Sequence, residues 1–167
     1  MKTQIIGVMA CDPNGLIGST QVEELPWHYP EDTKFWKSLV KDKPLLMGYD
    51  TFQKLTLDWI DSHPIGVLSK YHQSPDPRVH FFNSIETLLQ SSFFLSTGLF
   101  YHLGGAKTMN LFLETGLIDE FYLTEIKKVH EGDIFLNIKN IQKWPTECIL
   151  ENHDFRIMHY KNISRKI

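Results

Sequence analysis

The sequence predicts an α/β fold: a mostly parallel central sheet flanked by helices, with an antiparallel hairpin added at the C-terminal end. Short apolar runs alternate with helical segments from residue 4 to residue 126, separated by turns rich in glycine, proline and asparagine. From residue 148 onward the alternation stops, and two strand-like segments flank a polar turn. The 167 residues, of which 42% are hydrophobic, are enough for one well-filled core and too few for two, so we predict a single domain over residues 1–167.

The first half of the chain alternates buried strands with short helices. Gln4–Ala10 is an apolar run that the turn Asp12–Gly15 ends, and the polar segment Gly18–Glu24 has no periodicity and is predicted to be a loop. The predicted elements that follow are a helix from Pro30 to about Lys41, a strand over Pro44–Met47, a short helix from Gly48 to Leu55, and strands over Ile65–Leu68 and Val79–Phe82.

The second half continues the pattern and then changes to the hairpin. Asn83–Glu86 has the form of a capping box that begins a helix, and Gly116 has the character of a helix stop. The predicted elements are a helix to about Ser91, a strand over Leu99–Leu103, a helix over Lys107–Thr115, a strand over Glu120–Ile126, and two antiparallel strands between Cys148 and Asn162 around a turn at Glu151–Asp154.

Composition excludes several classes of function. Charged residues make up 22% of the chain and the net charge is −3, which is not typical of a nucleic-acid or polybasic membrane surface. Cys11 and Cys148 are the only cysteines, too few for a disulfide framework, and the eight histidines lack the spacing of a zinc site. Ile5–Ala10 is too short for a signal peptide core. We expect a cytoplasmic monomer that binds no metal, nucleic acid or membrane.

The helix start at Pro30 carries the first candidate functional group. The proline ring fixes φ, and Glu31 and Asp32 meet the positive end of the helix dipole. Positions four, seven and eight residues beyond Asp32 form an apolar stripe of Trp36, Leu39 and Val40, so Asp32 points to the core and Glu31 to water. Burying an unpaired carboxylate costs several kcal/mol or more, so Asp32 needs a partner. Taken alone, it is either an ordinary helix-start acid or a functional carboxylate.

Two turns between a strand and a helix carry glycine, Met47–Thr51 and Leu103–Thr108. Glycine lets a ligand approach the backbone, and the helix start behind it offers free N–H groups. Neither turn fits the G-x-G-x-x-G fingerprint, and each alone is compatible with an ordinary tight turn. Two of them at the carboxyl ends of strands in one sheet suggest a longer ligand, such as a dinucleotide pyrophosphate.

Together these features resemble the dihydrofolate reductase family over nearly the whole chain. Each motif is weak alone, and their shared order and spacing carry the resemblance. The motifs are Asn14–Gly18, Leu25–Trp27, Pro30 with Asp32, Met47–Gly48 with Thr51, Leu103–Ala106, Asp119–Thr124 and Glu131–Asp133.

The resemblance implies NADPH-dependent reduction of 7,8-dihydrofolate to tetrahydrofolate, in one-carbon metabolism, by hydride transfer to C6 and protonation of N5. Asp32 matches the family's single ionisable group in the pterin pocket, and Thr124 the threonine that bonds this carboxylate. Trp27 matches the tryptophan that holds an ordered water, and Leu25 the residue of the loop that closes over the site. Gly132 and Asp133 match a loop that supports the closing loop.

The same resemblance implies the binding residues. Those expected at the substrate are Val8, Ala10, Asp32, Thr33, Trp36, Leu55, Ile60, His63, Leu103 and Thr124. Those expected at the cofactor are Ala10, Ile17, Gly18, Gly48, Tyr49, Thr51, Leu68, Ser69, Lys70, Leu103, Gly104, Gly105, Ala106, Lys107 and Thr108. Ser69 and Lys70 match the position that usually meets the adenosine 2′-phosphate.

Three positions depart from the family pattern. Tyr49 stands where the family usually has an arginine near the 2′-phosphate, and Lys70 and Lys107 offer only point charges instead of a bidentate fork. The segment 61–64 lacks the arginine that clamps the folate α-carboxylate and offers only His63. The closing loop, Ser19–Glu24, is slightly long and ends in acids.

These departures keep two alternatives open. The first is a reductase of the same fold that acts on a related heterocycle, such as an unconjugated dihydropterin or the pyrimidine intermediate of riboflavin synthesis. The second is a non-catalytic module that binds a pterin or a nucleotide. The Pro26-Trp27 segment with Asp32 favours dihydrofolate reduction over the first, and the Asp32–Thr124 combination argues against the second.

Overall fold

The computed structural model describes residues 2–22 and 25–164. Its strands are β1 (Gln4–Cys11), β2 (Leu16–Gly18), β3 (Leu45–Gly48), β4 (Ile65–Leu68), β5 (Val79–Phe82), β6 (Leu99–His102), β7 (Glu120–Ile126), β8 (Ile134–Phe135), β9 (Thr146–Glu151) and β10 (Phe155–Lys161). Its helices are α1 (Pro30–Val40), α2 (Tyr49–Gln53), α3 (Leu57–Ser62), α4 (Ile85–Gln90), α5 (Ser92–Leu95), α6 (Ala106–Glu114) and α7 (Lys139–Gln142). None of these helices has the length and apolarity to cross a membrane.

Eight strands form one sheet in the order β5-β4-β3-β6-β1-β7-β10-β9. The first six run parallel, and β10 pairs antiparallel with both β7 and β9. The predicted fold, a mostly parallel sheet with a C-terminal hairpin, is therefore confirmed. The central strands are almost uniformly apolar because helices and loops cover both of their faces.

The sheet separates two main apolar clusters. On one side, α6 packs Met109 and Phe112 against Phe100 and Phe121 of the sheet. On the other side, Val40 of α1 joins a cluster built largely from β1, β3 and β4. A smaller cluster around Trp27 and Phe155 covers the end of β7 and β10. This last cluster and α1 enclose the carboxyl end of β7, where the candidate active site lies.

Most predicted elements are present within one or two residues, and five short ones were missed. Helices α3, α5 and α7 have four to six residues and strands β2 and β8 two or three, too few for a hydrophobic period to be recognised. The predicted loop at Gly18–Glu24 is wrong at its start, since Gly18 pairs with Ile134 in the β2–β8 ladder. Glu23 and Glu24 lie outside the described residues.

The capping box of α4 lies one residue later than predicted. Ser84, not Asn83, is the N-cap, and its Oγ accepts a hydrogen bond from the backbone N–H of Thr87. Thr87 rather than Glu86 supplies the reciprocal side chain. The predicted stop at Gly116 is confirmed by its φ of +70°, which a glycine adopts without strain.

Candidate active site

A buried carboxylate and a buried hydroxyl form the centre of the site. Asp32, in the first turn of α1, is 9% exposed, and its Oδ1 accepts a 2.6 Å hydrogen bond from Oγ1 of Thr124. Thr124 is 4% exposed and lies on β7 opposite Ala10 of β1. The buried carboxylate was expected to need a partner, and Thr124, 92 residues away along the chain, is that partner. Glu31 is exposed, as the phase predicted.

The surroundings of Asp32 change its acidity. Burial raises the pKa of the Asp32 carboxyl above its usual range, and the hydrogen bond from Thr124 offsets part of this rise. Desolvation is the larger effect because the pair lies between a helix and a sheet, where water cannot stabilise the charge. A carboxyl group in this state holds a proton at a higher pH than an exposed aspartic acid.

Trp27 belongs to the small apolar cluster at the end of β7 and β10. Its indole is buried and lies 5.3 Å, ring centroid to ring centroid, from His130. The backbone N–H of His130 donates to Oδ2 of Asp12, which is itself 1% exposed. Asp12 also accepts the N–H groups of Asn14 and Leu16 through Oδ1. This carboxylate thus ties the end of β1 to the loop that carries His130.

Most of the residues predicted to form apolar walls belong to one cluster on the side of the sheet that α1 covers. Val8 is buried on β1, and Leu55, Ile60 and Leu103 pack partly buried against the same cluster as Trp36. Ala10 packs against the cluster around Trp27 instead. Thr33 follows Asp32 and directs its hydroxyl to the carbonyl of Tyr29, at 3.4 Å.

An aromatic row extends from these walls. The rings of Trp36 and Trp59 stack at 5.7 Å, and those of Trp59 and His63 at 4.9 Å. Nδ1 of His63 lies 2.7 Å from the carbonyl oxygen of Lys43, so this nitrogen carries a hydrogen and donates it. Sequence reasoning missed Trp59, because α3 itself was missed. The available signal for this helix was Thr56, a good N-cap residue, followed by six residues without glycine or proline.

The arginine nearest in sequence to segment 61–64, Arg78, does not offer a free guanidinium in place of the missing one. Asp61 is bound by Arg78, whose Nη1 lies 2.6 Å from Oδ1. The same guanidinium contacts Asp76 at 2.8 Å. Two carboxylates therefore neutralise Arg78, and its side chain is half exposed.

The two glycine turns meet at the carboxyl ends of β3 and β6. The N–H of Gly48 donates to the carbonyl of Gly104 at 2.8 Å, and Gly104 has a φ of +102°. A Cβ atom at Gly48 would lie 2.5 Å from Oγ1 of Thr108, so only glycine fits there. Thr51 Oγ1 lies 3.7 Å from the place of a Cβ at Gly105. Ala106, Lys107 and Thr108 form the first turn of α6, which has no side-chain cap.

A cavity of about 600 Å³ lies at the end of β4 and β5. Its walls include Ser69, Lys70 and His72, and none of the described residues that line it is acidic. Oγ of Ser69 accepts the backbone N–H of His72 and lies 3.1 Å from its Nδ1. Tyr49 stacks on the imidazole of His72 at 3.7 Å, a contact that the sequence did not predict. Leu68 is the last residue of β4 and packs into the core.

The remaining predicted residues belong to the loops around the site. Ile17 and Gly18 are in β2, and Leu25 is 61% exposed next to the two residues outside the described ranges. The carboxylate of Asp133 accepts hydrogen bonds from the N–H and the hydroxyl of Thr20, at 2.7 and 2.5 Å. A Cβ at Gly132 would lie 2.4 Å from the carbonyl of Gly18, so this loop packs closely on β2.

Comparison with known proteins identifies the family. The sequence profile of the family described as "Dihydrofolate reductase" matches residues 4–160. Dihydrofolate reductase 1 of Haloarcula marismortui is 26% identical over 97% of this chain and 93% of its own length. The dihydrofolate reductase of Enterococcus faecium is 31% identical over 78% of this chain and 76% of its own length.

A solved structure supports the same assignment at the level of the fold. Dihydrofolate reductase from Enterococcus faecalis, complexed with NADP(H) and RAB-propyl, superposes with a TM-score of 0.72. It is 22% identical to this chain, and the superposition covers 95% of each. The profile match over residues 4–160, the two relatives and this fold together show that the chain belongs to the dihydrofolate reductase family of oxidoreductases.

Proposed function

We propose that this protein reduces 7,8-dihydrofolate to tetrahydrofolate with NADPH. The observation that carries the proposal is the buried Asp32–Thr124 hydrogen bond at the carboxyl end of β7, in a member of this family. A carboxylate held by a hydroxyl suits recognition of a ring that presents adjacent N–H donors, as the reduced pterin does. The other charged groups near Asp32 in the sequence, Glu31 and Lys34, are exposed.

On the substrate side, each residue has a distinct task. Asp32 binds the pterin and, through its raised pKa, favours the protonated ring at higher pH than a solvated carboxylate would. Thr124 fixes the orientation of this carboxylate. Val8, Leu55 and Leu103 form apolar walls that exclude water from the reacting ring, which strengthens the interaction with Asp32. Trp27 covers the centre from the side of His130.

On the cofactor side, the residues present fit a phosphorylated dinucleotide. A side chain at position 48 would meet Thr108, and the φ of +102° at Gly104 favours glycine, so no side chain screens the backbone of these turns from a pyrophosphate. The uncapped first turn of the nine-residue α6 adds N–H donors and a positive dipole end. NADPH, when bound, supplies the hydride.

The cavity beside β4 supports NADPH rather than NADH. Lys70 and His72 are its basic side chains, Ser69 and Thr87 add hydroxyls, and no described lining residue is acidic. A 2′-phosphate carries negative charge, so this lining favours the phosphorylated cofactor even though Tyr49 replaces the usual arginine. We expect a higher kcat/KM with NADPH than with NADH. The Lys70→Ala substitution should lower the ratio of these two kcat/KM values several-fold.

The proposal is tested by mixing the purified protein with NADPH and dihydrofolate and following NADPH absorbance. A stoichiometric loss of NADPH with formation of tetrahydrofolate is the expected result. Turnover of a tail-less dihydropterin or of the riboflavin-pathway pyrimidine, without turnover of dihydrofolate, would overturn it in favour of a related reductase. Binding of NADPH and folate without any turnover would instead indicate a non-catalytic module.

A further inference from the structure

A fully buried histidine directly precedes the second glycine turn. His102 is the last residue of β6, and its side chain is 0% exposed. Nδ1 accepts a 3.1 Å hydrogen bond from the backbone N–H of Gly104, two residues later. The ring of Phe112, in α6, meets the imidazole edge to face at 4.5 Å. Nε2 is buried without a hydrogen-bond partner among the described residues.

These contacts define the chemical state of the ring. A backbone N–H can only donate, so Nδ1 must be unprotonated and Nε2 carries the hydrogen. Burial also lowers the pKa of His102 to about 3, so the imidazole is neutral throughout the physiological range. A neutral ring with one permanent acceptor cannot act as an acid or base near pH 7. It can hold a backbone donor in place.

The donor that it holds belongs to Gly104, the residue of the second turn that contacts the first. The N–H of Gly104 binds His102, and the carbonyl of Gly104 accepts the N–H of Gly48 from the other turn. The backbone N–H of Leu103 is held separately, by the carbonyl of Leu46. One imidazole nitrogen therefore anchors the residue that connects the turn after β3 to the turn after β6.

We propose that His102 is a positioning residue for the dinucleotide, which sets the Gly104 backbone that the cofactor's phosphates approach. The proposal rests on the proposed function, since it assigns the cofactor to these turns. A β-branched or aliphatic residue would suit a buried strand end equally well for packing. An imidazole there buries a polar ring with one nitrogen unpaired, a cost that packing alone does not explain. The acceptor for Gly104 is the feature that this polar ring adds.

The chain offers a matched set of variants. His102→Leu removes the acceptor and leaves the Gly104 N–H unpaired. His102→Asn keeps an acceptor at the same distance from the backbone, because an asparagine side chain commonly bonds the N–H two residues on. His159→Leu is the control: His159 is also buried, but on β10, where it bonds Glu120 and not a glycine turn.

Binding and kinetics give the test. We expect His102→Leu to raise the NADPH dissociation constant roughly tenfold, with kcat at saturating NADPH and KM for dihydrofolate within about twofold of wild type. His102→Asn should restore NADPH binding to within about threefold of wild type, and His159→Leu should leave it unchanged even where it lowers Tm. An unaltered NADPH dissociation constant in folded His102→Leu, or no rescue by asparagine, would overturn the proposal.

A second measurement uses the free protein and is independent of activity. Nitrogen-15 NMR of wild type should show His102 as the neutral Nε2–H tautomer, with slow exchange of the Gly104 amide hydrogen. The Leu variant should lose that protection, and the Asn variant should keep it. A protonated or Nδ1–H ring would contradict the positioning role even if His102→Leu failed to fold. Failure of wild type to bind NADPH while these signals hold would instead count against the proposed function.

Discussion

The two ends of the candidate substrate site are built in opposite ways. At the inner end, Asp32 and Thr124 are buried and joined by a 2.6 Å hydrogen bond. At the outer end, Trp36, Trp59 and His63 form a partly exposed row of stacked rings. The arginine nearest in sequence to His63, Arg78, is already neutralised by Asp61 and Asp76.

This difference determines how each end can recognise a ligand. Charge and hydrogen bonding are strong where water is excluded, so the inner end can select a ring by its pattern of donors. Water and salt weaken charge at the outer end, where contact area and stacking remain effective. We therefore expect substitutions of the polar residues at the inner end to change the kinetic constants most. Substitutions of the aromatic residues at the outer end should have moderate effects, and substitutions of charged residues there should have small ones.

The largest effect is expected for Asp32→Asn. Losing the only ionisable group of the inner pair should lower kcat by roughly a hundredfold to a thousandfold at neutral pH. The dissociation constant of NADPH should stay within about twofold, because Asp32 is not at the glycine turns. Stopped-flow turnover and fluorescence titration of NADPH measure the two quantities. Activity close to wild type would remove Asp32 from its proposed role.

The same variant should be more stable than wild type at neutral pH. Burial raises the pKa of Asp32, so between the unfolded and the folded pKa the native state binds more protons than the unfolded chain. Stability therefore falls as pH rises through that window, and the cost persists in full above it. Asparagine carries no charge, so the variant avoids the cost of burying an ionised carboxylate. We expect a higher Tm at pH 7 and a weaker dependence of Tm on pH above about 4. Wild-type turnover should also fall as pH rises through the raised pKa.

The next effect is expected for Thr124→Val. The side chains have nearly the same shape, so the change removes one hydrogen bond to the carboxylate, which is worth about 1.5–3 kcal/mol. We expect kcat/KM for dihydrofolate to fall about tenfold or more. Because the Thr124 hydrogen bond lowers the pKa of Asp32, its loss should move the pH–rate profile to higher pH. Thr124→Ser, which keeps the hydroxyl, should restore the wild-type profile.

A moderate effect that depends on the substrate is expected for Trp59→Ala. Removing the middle ring of the row should raise KM for dihydrofolate about three- to tenfold, since an aromatic pair contributes about 0.5–1.5 kcal/mol beyond its area. KM for a dihydropterin without a tail should change less than twofold. Leu57→Ala, on the same helix and exposed, is the matched control. Equal effects on both substrates would show that the row does not distinguish the tail.

The smallest effect is expected for Arg78→Gln. Because its guanidinium is half exposed and bound to two carboxylates, KM for dihydrofolate should change less than twofold at physiological salt. Steady-state kinetics at low and high salt test this expectation. A large rise in KM, confined to substrates with an anionic tail, would mean that Arg78 leaves its partners to bind the tail and would reverse our view of the outer end.

The sequence predicted much of the fold because its central strands are short apolar runs with clear turn signals. Ile65–Leu68, Val79–Phe82 and Glu120–Ile126 match the observed strands at both ends. Helix phase also predicted that Asp32 is buried and Glu31 exposed. The missed elements, such as α3 and β8, are too short for a hydrophobic period to be recognised, so their existence depends on contacts with distant parts of the chain.

The motifs in their order determined the family, and local spacing determined which acid faces the core. Tertiary structure alone decided that Thr124 is the partner of Asp32, that Trp59 lies between Trp36 and His63, and that His102 binds Gly104. The first two arrangements join residues on different elements, which a local pattern cannot encode. The third is local, but a histidine at a strand end has several possible partners. Only the packing of α6 over β6 removes water and leaves the Gly104 N–H as the partner of Nδ1.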